Sequence, residues 1–365
     1  MELVCTSKHL VSSIATAIDV TGREHLVIVA KASWRIPAPR QRPRPLPPQP
    51  LAVADAYHGV PGRSAMRYCD DFARFKPRCD VLFDACAHAP SGHPIRQLDL
   101  AVQVGALNKR IRVFGPRNWT RGLLGLTPSE PEPFIRMPLH FGHAFGGSRS
   151  YDANGKTLTE ALLTNPDGLG WGGPNTARGL VGAPVANLEH PDDQIKRPDG
   201  PNQPVALSAI GRHWQPRQGY AGTYDDAWRR DVAPFLPEDF DDRFHQCAPE
   251  DQQIDYPRGG ETVRLNHLVP SCPALAFSLP QLDGVKVRIL RTDYSTEQID
   301  AVVDTLFFET DAERFSAVWR ASSPIRRRLQ EFDTIAVGPI EPEWWRARSL
   351  GLDDHGCPGC GETPA

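Results

Sequence analysis

The sequence predicts a mainly β fold: α+β with few short helices, built as a large β-sandwich or barrel-like domain around a loop-rich, Gly/Pro-rich central insertion. Three observations carry this expectation. Of 365 residues, 36 are proline and 30 are glycine. Proline is thus near twice its usual share of about 5%, and a residue that fixes φ and lacks an N–H donor excludes a body of long helices. Apolar and β-branched runs of strand length gather towards both ends of the sequence, whereas helical patterning in between is short.

Taken in order, HLVIVAKASW (25–34) follows a turn at Gly22 and reads as a strand. PAPRQRPRPLPPQPL (37–51) holds seven prolines and reads as a polyproline-II-like spacer on the surface. DVLFDACAHAP (80–90) reads as a buried strand. LDLAVQVG (98–105) and KRIRVFG (109–115) form a hairpin, with the loop expected at Ala106-Leu107-Asn108 and positive φ at Asn108. Residues 127–260 form the loop-rich centre, where LTEALLTN (158–165) and DDAWRRDV (225–232) each fit two helical turns, the second opened by Asp225. Strands return with ETVRLNHL (261–268), ALAFSL (274–279) and VKVRIL (285–290). IDAVVDTLFFET (299–310) then pairs with DAERFSAVWR (311–320). No internal boundary is evident, so residues 1–345 are expected to be one domain and 346–365 a polar tail.

The 40% apolar and 23% charged composition supports a globular core, and a net charge of −3 gives no reason to expect nucleic acid as a partner. Seven lysines against a total of 41 basic residues make arginine the dominant cation, suited to planar, multidentate contacts. MELVCTSKHLVSSIATAIDV lacks the basic-then-apolar pattern of a secretory signal, and no run of about 18 apolar residues occurs. A cytoplasmic protein with no membrane span is expected, its eight scattered cysteines free thiols.

RFHQCAPEDQQ (243–253) sets His245 and Cys247 two residues apart, with Glu250 and Asp251 just beyond. A thiol-dependent hydrolase or transferase would need these side chains in contact and a third group to orient the imidazole. The alternative is a loop whose polar side chains cap turns and satisfy backbone, in which case removing the Cys247 thiol leaves function intact. HGCPGCG carries Cys357 and Cys360 in CxxC spacing with His355 nearby, a half-site for a metal-dependent interaction module that lacks a second CxxC. FGG (145–147) and GWGGPN (170–175) lack the spacing of a phosphate-binding loop and fit tight turns with close backbone approach. His140 and His143 are three apart, but Pro138 and Gly142 deny them a shared helical face. No cofactor or metal site is expected. FGPRNW and GRHWQPRQGYAGTYDDAW concentrate tryptophan, tyrosine and arginine, the residues that dominate protein interfaces and that also stack in cores.

The ordered series KPRCDVLFDACAHAP, VFGPRNW, PLHFGHAFGG, NPDGLGW, NLEHP, WQPR, GTYDDAW, LPEDFDDRFHQCAPEDQQ, GGETVRL and VVDTLFFETD resembles a bacterial domain-of-unknown-function family of type VI secretion system accessory proteins. The resemblance spans residues 8–340. It implies an effector adaptor or chaperone, not an enzyme, encoded beside the VgrG spike protein and effectors with PAAR-like domains. Such a protein would bind a toxic effector through its PAAR-like or N-terminal region and help load it onto VgrG. This chain departs from the family pattern at Ala85, where glycine is usual, and at Gly142, where an acidic residue is common. On this reading Arg117, Trp119, Phe145, Trp214, Arg217, Tyr224 and Trp228 build the loop-rich centre, some as scaffold and some exposed to the partner.

Overall fold

The computed structural model describes residues 1–123 and 125–352. It is mainly β, with two α-helices, Asp226–Asp231 and Pro342–Ser349, among the described residues. The largest sheet has seven strands. Gln253–Ile254, Cys79–Asp84, Val302–Glu309, Arg314–Pro324, Glu24–Arg35 and Val11–Ile18 lie side by side in that order, and Arg44–Leu46 adds to Glu24–Arg35. A five-stranded sheet runs Leu188–Glu189, Leu107–Phe114, Gln97–Val104, Thr262–Val269, Cys272–Ser278. A four-stranded sheet runs Glu2–Cys5, Phe332–Val337, Lys286–Arg291, Thr296–Asp300. Each order runs from one edge strand to another, so the sheets are open layers.

One apolar core joins these layers. Alternation along Gln97–Val104 turns Leu98, Leu100, Val102 and Val104 inward. They meet Val81, Phe83, Leu306, Phe308, Phe315 and Trp319 from the large sheet and Ile289 and Ile335 from the smaller one. Phe315 stacks on Phe308 with ring centroids 5.3 Å apart and meets Phe277 of the five-stranded sheet at 5.8 Å.

The large sheet is also covered on its other face. Leu82 and Phe307, the alternate residues of their strands, belong to a second cluster with Met66, Tyr68, Cys69, Ala209, Cys247 and Ala248 from the loop-rich segments. Burial on both faces explains why apolar residues occupy consecutive positions in its central strands, as in Val81-Leu82-Phe83 and Leu306-Phe307-Phe308. This second face also holds charge. Lys31 pairs with Asp71 at 3.0 Å, Lys76 with Asp80 at 2.9 Å, and Arg320 with Asp304. All six side chains are buried. Arg320 further donates through Nη1 to the carbonyls of Asp71 and Ala73, each at 2.7 Å. Asp304 sits at a bulge between Val303 and Thr305, which re-aims its carboxylate.

Four local expectations are corrected. The proline-rich 37–51 segment is not only a spacer: Arg44–Leu46 pairs with Ser33–Arg35, taking over the sheet edge beyond the point where Val11–Ile18 ends. Proline fits there because an edge strand can spare an N–H. The 97–114 hairpin turns at Gly105-Ala106, with positive φ at Gly105 rather than Asn108, because Leu107 already pairs with Val104. LTEALLTN is not helical: Lys156–Ala161 pairs with Ser148–Ala153 through Asn154-Gly155, whose φ values of 50° and 74° make the paired left-handed turn that sets strand register. Finally, the body continues past residue 345: helix Pro342–Ser349 is tied back by Arg348, which donates to Thr334 and Glu2. The CxxC cysteines lie outside the described residues.

Replacing Arg320 with methionine should cost about 3–5 kcal/mol, because it leaves Asp304 charged and unpaired in a sealed layer. Urea unfolding of the variant checks this, and a loss below about 1 kcal/mol contradicts a structural role for the pair.

Candidate functional site

Asp80 organises the space between the large sheet and the loop-rich centre. Strand alternation sends Cys79 and Val81 into the shared core and Asp80 out of the opposite face. There it is wholly buried, yet its carboxylate is saturated. Lys76 Nζ donates at 2.9 Å, Cys247 N at 3.0 Å, Ala248 N at 3.2 Å and Gln246 Nε2 at 3.3 Å. The Cys247 thiol donates to it at 3.4 Å. Burial pushes the Asp80 carboxyl up, but Lys76 and the backbone N–H donors outweigh that and hold it below the usual carboxylate range.

The stretch RFHQCAPEDQQ is thereby fixed from below. Asp241 caps the 3₁₀ turn Asp242–His245 by accepting from Arg243 N at 2.8 Å. Gln252 donates to the carbonyls of Val81 (2.8 Å) and Leu207 (3.0 Å), while its own carbonyl accepts from Lys109 Nζ at 2.8 Å. Gln253 donates to Ala248 O at 2.8 Å. The glutamines thus mostly serve backbone acceptors, and a carboxylate from a distant strand serves the backbone donors.

His245 and Cys247 do not form a hydrogen-bonded pair. The imidazole lies between Phe240 and Phe244, ring centroids 5.7 and 5.9 Å away. Burial, with Arg217, Arg320, Lys76 and Arg212 around it, drives the His245 pKa down to about 3. Cys247 is fully buried, and the neighbouring Cys69 thiol, its burial and Asp80 push its thiol well up. Burial also opposes ionisation of Cys69, but Cys247 and the Arg217 guanidinium outweigh it, so Cys69 is the thiol of the pair held below the ordinary range. Sequence reading missed Asp80, Lys76 and Cys69; a lone acid between the apolar positions of CDVLF was the available signal.

The seven predicted centre residues separate into scaffold and surface. Arg117 is buried, bonded to Glu189 at 2.6 Å and stacked over Phe114 at 4.0 Å. Trp119 donates to Gly170 O at 2.9 Å and packs in one cluster with Phe145. Trp214 is fully buried, donates to His213 Nε2 at 3.0 Å, and meets Phe141 edge-on at 5.6 Å. Arg217 is 1% exposed, donating from Nε to Phe244 O at 2.8 Å and from Nη1 to Ile210 O at 2.9 Å and Cys69 Sγ at 3.2 Å. These five are interior. Tyr224, 52% exposed, and half-buried Trp228 stand at the surface, rings 4.7 Å apart. Asp225, just after Tyr224, caps the short helix that carries Trp228 by accepting from Trp228 N at 2.8 Å, and the indole donates to Phe235 O at 3.0 Å.

The glycine runs act as close-approach points. A Cβ on Gly146 would lie 2.2 Å from the Asn165 carbonyl, and Gly170 has φ +84°. Asn165, wholly buried, donates to Phe141 O and Phe145 O at 3.0 and 3.1 Å, tying FGHAFGG to NPDGLGW. His140 stacks on His58 at 3.9 Å and meets His143 edge-on at 4.8 Å, an association that sequence spacing did not reveal. Among the described residues no group of three or more His, Cys, Asp or Glu side chains has the geometry to hold a metal ion.

The family described as "Uncharacterized protein conserved in bacteria (DUF2169)" matches residues 21–320. No curated protein and no solved structure matches the chain.

Two outcomes are expected at this site. A histidine whose folded pKa is depressed from about 6.5 to about 3 contributes stability that is complete above the unfolded value and lost as pH falls through the window between the two. His245→Phe, which keeps the aromatic packing, should therefore lose less melting temperature than the parent when pH is lowered from 7 to 5; equal losses contradict this. Cys247→Ala should lower stability by about 1–2 kcal/mol through lost packing, read by calorimetry, and so is not silent in stability even where function is retained.

Proposed function

The chain belongs to the bacterial DUF2169 family, and from that premise we propose that it is a type VI secretion system accessory protein. It acts in the bacterial cytoplasm as an adaptor that binds a toxic effector at its PAAR-like or N-terminal region and helps load it onto the VgrG spike. The ordered motifs from KPRCDVLFDACAHAP to VVDTLFFETD support this reading. The observation that carries it is the contrast within the centre. Arginines and tryptophans lock that region internally, while Tyr224 and Trp228 stand at the surface on either side of the helix cap Asp225.

A rigid aromatic pair on an immobilised loop suits protein recognition, because little side-chain entropy is lost on contact. The Trp228 indole is held by the backbone carbonyl of Phe235, itself an exposed residue. The sealed Cys247, occupied with Asp80 and remote from the His245 ring nitrogens in hydrogen-bond terms, supports a structural thiol over a hydrolase or transferase nucleophile. No helix among the described residues is long and apolar enough to cross a membrane.

Tyr224→Ala and Trp228→Ala should each weaken capture of the effector encoded beside this protein by about tenfold or more, with melting temperatures close to the parent. Affinity is read by calorimetric titration against the purified effector. Undiminished affinity in both variants removes this surface from the interface, and failure of the parent to capture effector or VgrG overturns the adaptor reading.

A further inference from the structure

Arg217 carries a charge that the structure does not pair with a carboxylate. Its guanidinium is buried, and among the described residues no Asp or Glu oxygen forms an ion pair with it. The nearby carboxylates are committed elsewhere: Asp55 and Asp70 both take Arg212, and Asp241 takes Arg243. Nε and Nη1 are spent on two carbonyls and a thiol, as described above. Nη2 has no hydrogen-bond partner among the described residues, yet it is not one of the polar atoms sealed from solvent without a partner.

Arg217 also lines a cavity of 230 Å³. Gln203, Gln215, Gln246 and Gln253 line it, the last two with their amide nitrogens already donating to Arg78 O, Asp80 and Ala248 O, while Ile210 and Pro204 supply apolar surface. Arg243 reaches the cavity but is neutralised by Asp241, and Glu250 at the rim is exposed and anionic. Arg217 is therefore a cation without a carboxylate partner beside a small chamber, answered in part by the Cys69 thiol 3.2 Å from Nη1 and by Glu250 at the chamber's edge. Such a chamber matches a monoanion attached to a short carbon chain and disfavours a dianion.

We propose that this cavity is a carboxylate-binding site, in which Arg217 Nη2 donates to an acid oxygen and the Gln203 and Gln215 side chains bond the amide groups next to it. The ligand class is a peptide carboxylate, from either a chain terminus or an Asp or Glu side chain. The site stands on its own geometry and goes beyond the adaptor reading: small acids test the cavity, whereas effector capture tests the function.

The test titrates the intact protein with N-acetylglycylglycine, with its C-terminal amide, with N-acetylglutamate N-methylamide, and with inorganic phosphate, following the Arg217 guanidinium NMR signals. At least one carboxylate should shift these signals saturably, with a Kd of roughly millimolar order, and the amide should not. The tighter of the two acids identifies the source, terminus or side chain. Arg217→Lys should lose binding at least tenfold. Because that variant touches buried bonds, Gln203→Trp is paired with it: Gln203 is an exposed lining residue, so the bulky ring should close the mouth and abolish binding with an unchanged melting temperature. Equal binding of acid and amide, stronger binding of phosphate than of either acid, no shift with any carboxylate, or retained binding in a folded Gln203→Trp protein each overturns the proposal.

Discussion

The charged contact between Asp80 and the segment 246–248 is the constraint on which the centre of this protein depends. A fully buried carboxylate is tolerated only when its oxygens are fully engaged. Here one ammonium, two backbone N–H groups, an amide and a thiol engage them. The same contact turns a loop with little regular structure into a fixed layer on a sheet. Once residues 246–248 are held, Gln252 lies against Val81 and Leu207, and Arg217 can reach Phe244 O and Ile210 O. The cavity beside Arg217 exists because its walls are anchored in this way.

The large sheet therefore does two different jobs with its two faces. One face is apolar and joins the sheets into a single core. The other mixes apolar residues with Lys31, Asp80 and Arg320, which address partners on segments with few repeating hydrogen bonds of their own. Carbonyls and amides that a helix or strand would satisfy internally are satisfied instead by side chains projecting from the sheet. Arginine dominates because one guanidinium can serve several carbonyls at once.

Much of the sheet architecture was legible in sequence, because strands such as Glu24–Arg35, Val302–Glu309 and Thr262–Val269 are written in β-branched and alternating residues. The Asn154-Gly155 turn was equally legible in principle, but the apolar spacing of LTEALL mimicked a helix and concealed it. The site was less so. Arg117, Trp119, Phe145, Trp214 and Arg217 advertise themselves by type, yet type does not separate an interface from a packed interior, and all five are interior. Tyr224 and Trp228 belong to the same compositional cluster and differ only in which way the fold turns them. Asp80 showed only as a lone acid in an apolar run: Lys76 is four positions away, but the Cys247 and Ala248 N–H groups that define its role lie 167 and 168 positions along the chain.

The pairing of Glu2–Cys5 with Phe332–Val337 has a consequence for how the molecule is made. Thr6 donates to Val337 O across 331 positions, and Glu24–Arg35 meets Arg314–Pro324 along nearly its whole length. A ribosome must therefore release almost all of this sequence before Glu2–Cys5 and Glu24–Arg35 have their full set of neighbours. Until then Glu24–Arg35, apolar without a break from Leu26 to Ala30, can zip to Val11–Ile18 but presents its other flank bare. Nascent chains are thus exposed to mispairing throughout synthesis, and late steps that depend on such distant contacts are intrinsically slow.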